Sequence, residues 1–123
     1  MNTALWVVQG VLAAMFLTAG ALKVSGTREK LESFMPWVQH YPTRVVRCVG
    51  VAEILGAIGL VLPGALDVAP WLTPLAASGL ALLMALAAVH HVRKREWSEA
   101  SFNVVLLALA LFVAIFRFGP NAF

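Results

Sequence analysis

The residue with the clearest potential for chemistry is Glu53, an acid inside the otherwise almost wholly apolar run Val45–Leu66. A carboxylate near the middle of a membrane-spanning helix costs about 2.5–3.5 kcal/mol on insertion scales. Such a group is retained where it is paired, protonated or used in a reaction. Glu53 therefore predicts a functional site, and it requires a partner.

Three other apolar runs each carry a polar residue toward the same half of the membrane as Glu53. Lys23 ends the first run, His90 and His91 end the third, and Asn103 opens the fourth. A buried carboxylate and a histidine can both exchange protons near neutral pH. We therefore expect Glu53 and His90 to be coupled as catalytic acid and base, with Lys23, Asn103 and His91 binding a substrate.

Each of these residues also has a simpler possible role. Lys23 could extend its ammonium group to the lipid headgroups. The histidines could lie at the interface, and Asn103 could cap the fourth helix or bind a backbone carbonyl. Glu53 itself could form a purely structural ion pair.

The two adjacent histidines point about 100° apart on a helix, so they would not easily share one ligand. Spacing does not decide which of them faces inward, and His90 is narrowly favoured because basic residues 93–95 lie closer to His91. The chain has neither an HExxH motif nor a cysteine pair. We therefore expect no metal site.

The composition is that of an integral membrane protein. Hydrophobic residues make up 61% and charged residues 12% of 123 residues, with a mean hydropathy of +0.86. Soluble domains are about 45–50% apolar and about 25% charged. The lone Cys48 excludes an internal disulfide. We expect one transmembrane domain over residues 1–123, the lipid bilayer as a partner, and no nucleic-acid partner.

Four apolar runs of roughly 17–22 residues have the length that a membrane-spanning helix needs. They cover approximately residues 5–22, 45–66, 71–89 and 102–118. Backbone groups in a bilayer must pair internally, so these runs predict an all-α integral membrane four-helix bundle.

Basic residues predict the orientation of the bundle. Eight of the nine Lys and Arg side chains lie in or beside the two loops that join spans one to two and three to four. The side richer in Lys and Arg is normally cytoplasmic. We therefore expect both termini outside, in a bacterial inner membrane.

The first of these loops has a helical pattern of its own. Leu31, Phe34 and Val38 recur at helical spacing opposite charged residues, and Pro36 interrupts the segment. With Trp37 next to the proline, the pattern predicts a short amphipathic interfacial segment between the first two spans. The same segment could instead be a lid that covers the mouth of the bundle.

Small residues flank Glu53 on its helix, Gly50 and Ala57 on its own stripe and Gly56 beside it. Small side chains permit close helix contact, so Glu53 is expected to face another helix. Such faces could also pack against a second copy of the chain, giving a homo-oligomer. Toward the outer side, Gln9 and Arg117 are expected to form a structural pair.

Several stretches together resemble the DoxX-like family of small four-helix membrane proteins. They are Gly-Ala-Leu-Lys at 20–23, Met-Pro-Trp at 35–37 and Gly-Val-Ala-Glu-Ile-Leu-Gly-Ala-Ile-Gly-Leu at 50–60, together with the histidine of span three and the asparagine of span four. The resemblance implies an association with quinol oxidase or thiosulfate:quinone oxidoreductase complexes, or with thiol redox, assembly or trafficking. It carries over no catalytic residue set.

Three functional hypotheses follow from the residues and the resemblance. The first is a membrane redox component whose polar pocket binds a hydrophobic quinone- or lipid-like molecule and which depends on a redox partner protein, because no intrinsic cofactor is evident. The second is a stand-alone acid–base enzyme, an isomerase or hydrolase, acting on an apolar substrate. The third is a non-catalytic assembly or scaffold protein.

Overall fold

The computed structural model describes residues 1–123 and contains only helices. The helices are α1 (Asn2–Ser25), α2 (Arg28–Phe34), α3 (Thr43–Leu66), α4 (Leu72–Arg93) and α5 (Trp97–Phe118), with a 3₁₀ helix at Pro36–His40. The four long helices have 22 to 24 residues, and an 18-residue stretch within each has a mean hydropathy of 1.9 to 2.2. At 1.5 Å per residue they reach about 33–36 Å, enough to cross a hydrocarbon core of about 30 Å. The predicted all-α membrane bundle is confirmed.

The four long helices form a ring in the order α1, α3, α4, α5. Contact is most extensive between α1 and α3 and between α4 and α5, less so between α3 and α4, and sparse between α5 and α1. We call the end that carries the loops 26–42 and 94–96 the basic end, and the end that carries both chain termini the terminal end.

The bundle is apolar inside and outside. Its core contains Leu12, Phe16, Leu60 and Leu80, all at most 2% exposed. Large apolar side chains such as Leu82 also cover the outer surface. A helix that is hydrophobic all round belongs in a membrane, where lipid replaces water around the outer face.

Helices α1 and α3 cross at two glycines. A Cβ atom on Gly20 would lie 2.6 Å from the carbonyl oxygen of Gly50, and one on Gly50 would lie 2.8 Å from the carbonyl oxygen of Gly20. Only glycine lets the two backbones approach this closely. The crossing brings the end of α1 beside the first half of α3, where Glu53 lies.

The loop 26–42, which we call the connecting segment, is folded against the basic end. Thr27 caps α2 by accepting a hydrogen bond from the Lys30 amide at 3.3 Å, and Pro36 begins the 3₁₀ helix. Leu31 and Val38 pack with Val46 of α3 in a small apolar cluster. The short amphipathic segment expected from the sequence is confirmed.

Candidate functional site

The partner of Glu53 is Lys23. The Lys23 Nζ atom lies 2.6 Å from Glu53 Oε1, and the side chains are 8% and 3% exposed. Side chains on a helix lean toward its N-terminus, so Lys23 in the last turn of α1 reaches back into the bundle rather than out to the headgroups. The alternative of a lysine extended to the lipid surface is wrong.

The ion pair fixes α1 to α3 just beyond the glycine crossing. A charged side chain inside a bilayer normally faces the bundle interior and pairs with an opposite charge. Removing one partner of such a pair leaves an uncompensated buried charge, which is strongly destabilising. The Lys23–Glu53 pair therefore makes each residue depend on the other.

Arg47 stabilises the same corner of the bundle from outside. Its Nη1 atom donates hydrogen bonds to the carbonyl oxygens of Lys23 and Gly26, each at 2.7 Å. These are end-of-helix carbonyls, at least one of which has no partner within the helix. The sequence identified Arg47 only as part of the basic loop, because nothing in its spacing indicates which carbonyls it would meet.

The two histidines make separate contacts. His90 Nδ1 lies 3.0 Å from the Tyr41 hydroxyl of the connecting segment, whereas His91 Nδ1 lies 2.9 Å from Glu96 Oε1. His91 is 7% exposed and His90 only half-buried, so the preference for His90 as the inward-facing histidine is wrong. The buried stripe of α4 runs from Thr73 to His91, and His90 points from its edge toward the connecting segment.

Neither histidine is hydrogen-bonded to Glu53, so the structure does not join the expected acid–base pair directly. Two aromatic rings lie between them. Lys23 Nζ is 5.8 Å from the centroid of the Trp37 ring, and that ring is 5.7 Å from the ring of Tyr41. Tyr41 in turn bonds His90. The connecting segment thus separates the ion pair from the histidines.

Asn103 lies farther inside the bundle than a cap would. Helix α5 begins at Trp97, so Asn103 is in its second turn, and the capping role considered for it is wrong. Its Nδ2 atom donates to the Met84 sulfur at 3.5 Å, and its Oδ1 atom is buried without a partner.

His90 also has a buried atom without a partner, Nε2. A Tyr41 hydroxyl that donates to Nδ1 leaves the imidazole proton on Nε2. This N–H then has no acceptor within the fold. Buried polar groups are nearly always hydrogen-bonded to protein or to ordered water, so the missing partner of this atom requires an explanation.

The sequence pattern of the DoxX-like family matches residues 7–113, which include both the ion pair and the histidines. The chain belongs to the DoxX-like family. Comparisons with curated proteins and with solved structures gave no match.

One group of side chains in this DoxX-like protein has the spacing of a metal site. One ligand atom each from His90, His91 and Glu96 lie within 4.8 Å of one another. We expected no metal site from the angle between the histidines and from the lack of an HExxH motif and a cysteine pair, and Glu96 now supplies a third donor. The absence of a metal therefore stays a prediction.

Glu96 of the DoxX-like chain lies in the loop between α4 and α5, outside the membrane-spanning helices. The hydrogen bond with His91 lowers the pKa of its carboxyl group below the usual value of 4.5. Folding therefore favours the ionised acid. The stabilisation is present above pH 4.5 and is lost as the pH falls through the lower value of the folded protein.

We expect a carbon-13 NMR titration of the protein in micelles to give a midpoint for Glu96 below 4.5. His91→Phe keeps a ring but removes both nitrogen atoms, so it should return the midpoint toward the ordinary value. Identical midpoints in the two proteins would show that His91 does not hold the Glu96 carboxylate in solution.

The pair expected at the terminal end is confirmed. Arg117 Nε donates to Gln9 Oε1 at 2.8 Å, and Gln9 Nε2 donates to the Leu60 carbonyl oxygen at 2.6 Å. Helices α1, α3 and α5 of the DoxX-like bundle are therefore joined through one buried glutamine.

Two cavities are found away from the basic end. A groove of about 510 Å³ runs between α3 and α4 past Gly56, Gly59 and Gly79. A smaller cavity of about 240 Å³ lies at the terminal end beside Arg117. Neither is lined by the ion pair, by the α4 histidines or by Asn103.

Proposed function

We propose that this DoxX-like protein binds the polar head of a hydrophobic quinone- or lipid-like molecule at the basic end, as a component of a membrane redox system. The observation that supports this most directly is the buried Nε2 atom of His90, which has no partner. With its proton on Nε2, the imidazole offers one hydrogen bond to an acceptor that the fold does not supply.

A quinone carbonyl fits this requirement in chemistry and in position. Its oxygen accepts hydrogen bonds but donates none, and its hydrophobic tail can remain in the lipid. His90 lies three residues before the end of α4, where a head group at the membrane boundary would be. Trp37 and Tyr41 of the connecting segment supply half-buried aromatic rings there, as is typical of membrane interfaces.

The same residues could supply protons. Reduction of a quinone to a quinol takes up two electrons and two protons. His90 is linked to Tyr41 by a hydrogen bond and lies beside His91, which contacts the half-buried Glu96. This row of groups leads from the loop toward the proposed head group. The electrons would come from a redox partner protein, since the proposed role of this chain is binding and proton exchange.

The orientation is part of the same proposal. The basic end would face the cytoplasm of a bacterial cell, with both termini on the outer side of the inner membrane. Protons for the reaction would then come from the cytoplasm.

A fluorescence experiment tests the binding site. Trp6, Trp71 and Trp97 are replaced by phenylalanine, so that Trp37 becomes the single reporter in protein reconstituted in nanodiscs. A short-tailed benzoquinone should quench Trp37 at a saturable site. His90→Phe should weaken the apparent affinity by about tenfold, because one hydrogen bond to a buried group is lost.

Two controls separate recognition from partitioning into lipid. The exposed His40 has its ring 6.1 Å from the His90 ring but forms no side-chain hydrogen bond, so His40→Phe, which keeps an aromatic ring there, should leave the affinity unchanged. A benzene ring with the same tail has no oxygen acceptor, so it should fail to displace the benzoquinone and should leave the quenching of Trp37 unchanged. Quenching that does not saturate, or that is equal in the two histidine variants, would contradict the proposal.

The buried Lys23–Glu53 ion pair favours a second candidate function, that of a non-catalytic scaffold. Lys23 and Glu53 satisfy each other, and neither lines a described cavity. In a scaffold the pair would only hold α1 in register with α3. A protein that binds no quinone but needs the pair for folding would support this role. The isomerase or hydrolase hypothesis has less support, since it needs Glu53 and a histidine in one site.

A further inference from the structure

The terminal end contains a buried cation without an opposite charge. Arg117 is 4% exposed, and its hydrogen-bond acceptors are all neutral. They are Gln9 Oε1 at 2.8 Å, Asn2 Oδ1 at 2.9 Å and the Asn121 carbonyl oxygen at 2.9 Å. No carboxylate forms a salt bridge with the guanidinium group. The partial negative charge at the end of α5 and the ring faces of Trp6 and Phe123, whose centroids lie 5.5 Å and 4.0 Å from Arg117 Cζ, offset only part of a full positive charge.

The guanidinium group also has an unused donor. Its Nη2 atom is buried and has no hydrogen-bond partner. Arg117 lines the cavity of about 240 Å³ between the start of α4 and the C-terminal residues. The centroid of the Phe123 ring lies 4.0 Å from Arg117 Cζ, and this ring lines the same cavity.

The depth of the site suits a charged head group. Arg117 is in the last turn of α5, which ends at Phe118, so it lies near the membrane boundary. A guanidinium fork matches the oxygen atoms of a phosphate group and can donate two parallel hydrogen bonds to it. An uncharged ligand would fill the cavity but would leave the positive charge uncompensated.

We propose that Arg117 and the adjoining cavity bind a phosphate-bearing anion, either the head group of a phospholipid or free phosphate. The site is at the opposite end of the bundle from His90 and does not depend on the proposed quinone site. Arg117 itself lies beyond residues 7–113, which match the family pattern, whereas the residues at the start of α4 that line the cavity lie within them.

Native mass spectrometry of the full-length protein tests this site. The protein is released from micelles containing phosphatidylglycerol or diacylglycerol with the same acyl chains. We expect retention of phosphatidylglycerol but not of diacylglycerol. Arg117→Gln should reduce the retained fraction by about tenfold or more, because a charge-assisted hydrogen bond is lost.

A second variant controls for misfolding of Arg117→Gln, since Arg117 also holds Gln9 and Asn2 in place. Ala122→Trp should fill the cavity while leaving the guanidinium group and its hydrogen bonds intact. It should lower retention as strongly as Arg117→Gln. Ala65→Trp is the matched control, an exposed alanine near the same end of α3, and should bind like the unchanged protein.

The outcomes distinguish the two sources of phosphate. Retained phosphatidylglycerol that millimolar inorganic phosphate does not displace identifies a lipid head group. Displacement by inorganic phosphate, with protection of the protein against thermal unfolding, identifies free phosphate. Equal retention of diacylglycerol, or equal retention by the Ala122→Trp and Ala65→Trp variants, would overturn the proposal.

Discussion

Glu53→Leu is expected to lower the free energy of unfolding by about 3–5 kcal/mol, because it leaves the Lys23 ammonium buried without an opposite charge. The two groups are 2.6 Å apart, with side-chain exposures of 8% and 3%. Glu53→Gln should be milder, since an amide oxygen can still accept a hydrogen bond from the ammonium. Thermal unfolding in dodecylmaltoside micelles measures the relative stability of the unchanged protein, Glu53→Gln and Glu53→Leu.

The double variant Lys23→Met/Glu53→Leu is the control. Replacing both members of a buried ion pair by apolar residues is often neutral or stabilising. We therefore expect the double variant to recover most of the loss caused by Glu53→Leu. Additive losses in the double-mutant cycle would show that the two residues are not coupled in the membrane protein. Stability of Glu53→Leu equal to the unchanged protein would show that Glu53 pairs with nothing.

The same cycle bears on function. If the pair serves only the fold, a quinone should quench Trp37 in the double variant as strongly as in the unchanged protein. If Glu53 also takes part in proton exchange, quinone reduction by a reconstituted partner should fall even when stability is restored. Stability and activity therefore report separately on the two candidate functions.

Much of the fold was predictable because hydropathy and charge act over whole segments. Four long apolar runs require membrane-spanning helices, and Pro36 requires a break in the connecting segment. The helical stripe through Gly50 and Glu53 also indicated correctly that the acid faces another helix.

The partner of Glu53 could not be predicted in the same way. Sequence placed Lys23, the histidines and Asn103 at similar depths, and depth alone does not choose between them. The choice depends on the order of the helices around the ring. Of the two helices beside α3, α1 has the more extensive contact with it. The connecting segment then places Trp37 and Tyr41 between the ion pair and His90, a tertiary arrangement with no periodic signal.

The choice between the histidines shows a related limit. Basic residues 93–95 suggested that His91 lies in water. In the structure those residues are exposed at the end of α4 and just after it, while His91 continues the buried stripe and bonds Glu96. Position on the helical face outweighed the charge of the neighbouring sequence.

The glycine crossing gives the second large prediction. Gly50→Ala should destabilise the bundle by about 1–3 kcal/mol, the usual effect of overpacking. The new Cβ would lie 2.8 Å from both the Gly20 carbonyl oxygen and Lys23 Cβ. The first of these atoms belongs to the backbone and cannot rotate away, so α1 and α3 must separate.

Gly79→Ala is the matched control, since it places the same methyl group in the middle of α4 with nothing within 4 Å. Alanine is favoured over glycine inside a helix by about 1 kcal/mol, so this variant should be as stable as the unchanged protein or slightly more so. Equal thermal stability of the two variants would mean that α1 and α3 are not in close contact at Gly50.

If the two helices are in close contact there, their separation in Gly50→Ala must also lengthen the Lys23–Glu53 contact. Gly50→Ala should then lose part of the coupling energy measured between Lys23 and Glu53, whereas Gly79→Ala should keep all of it.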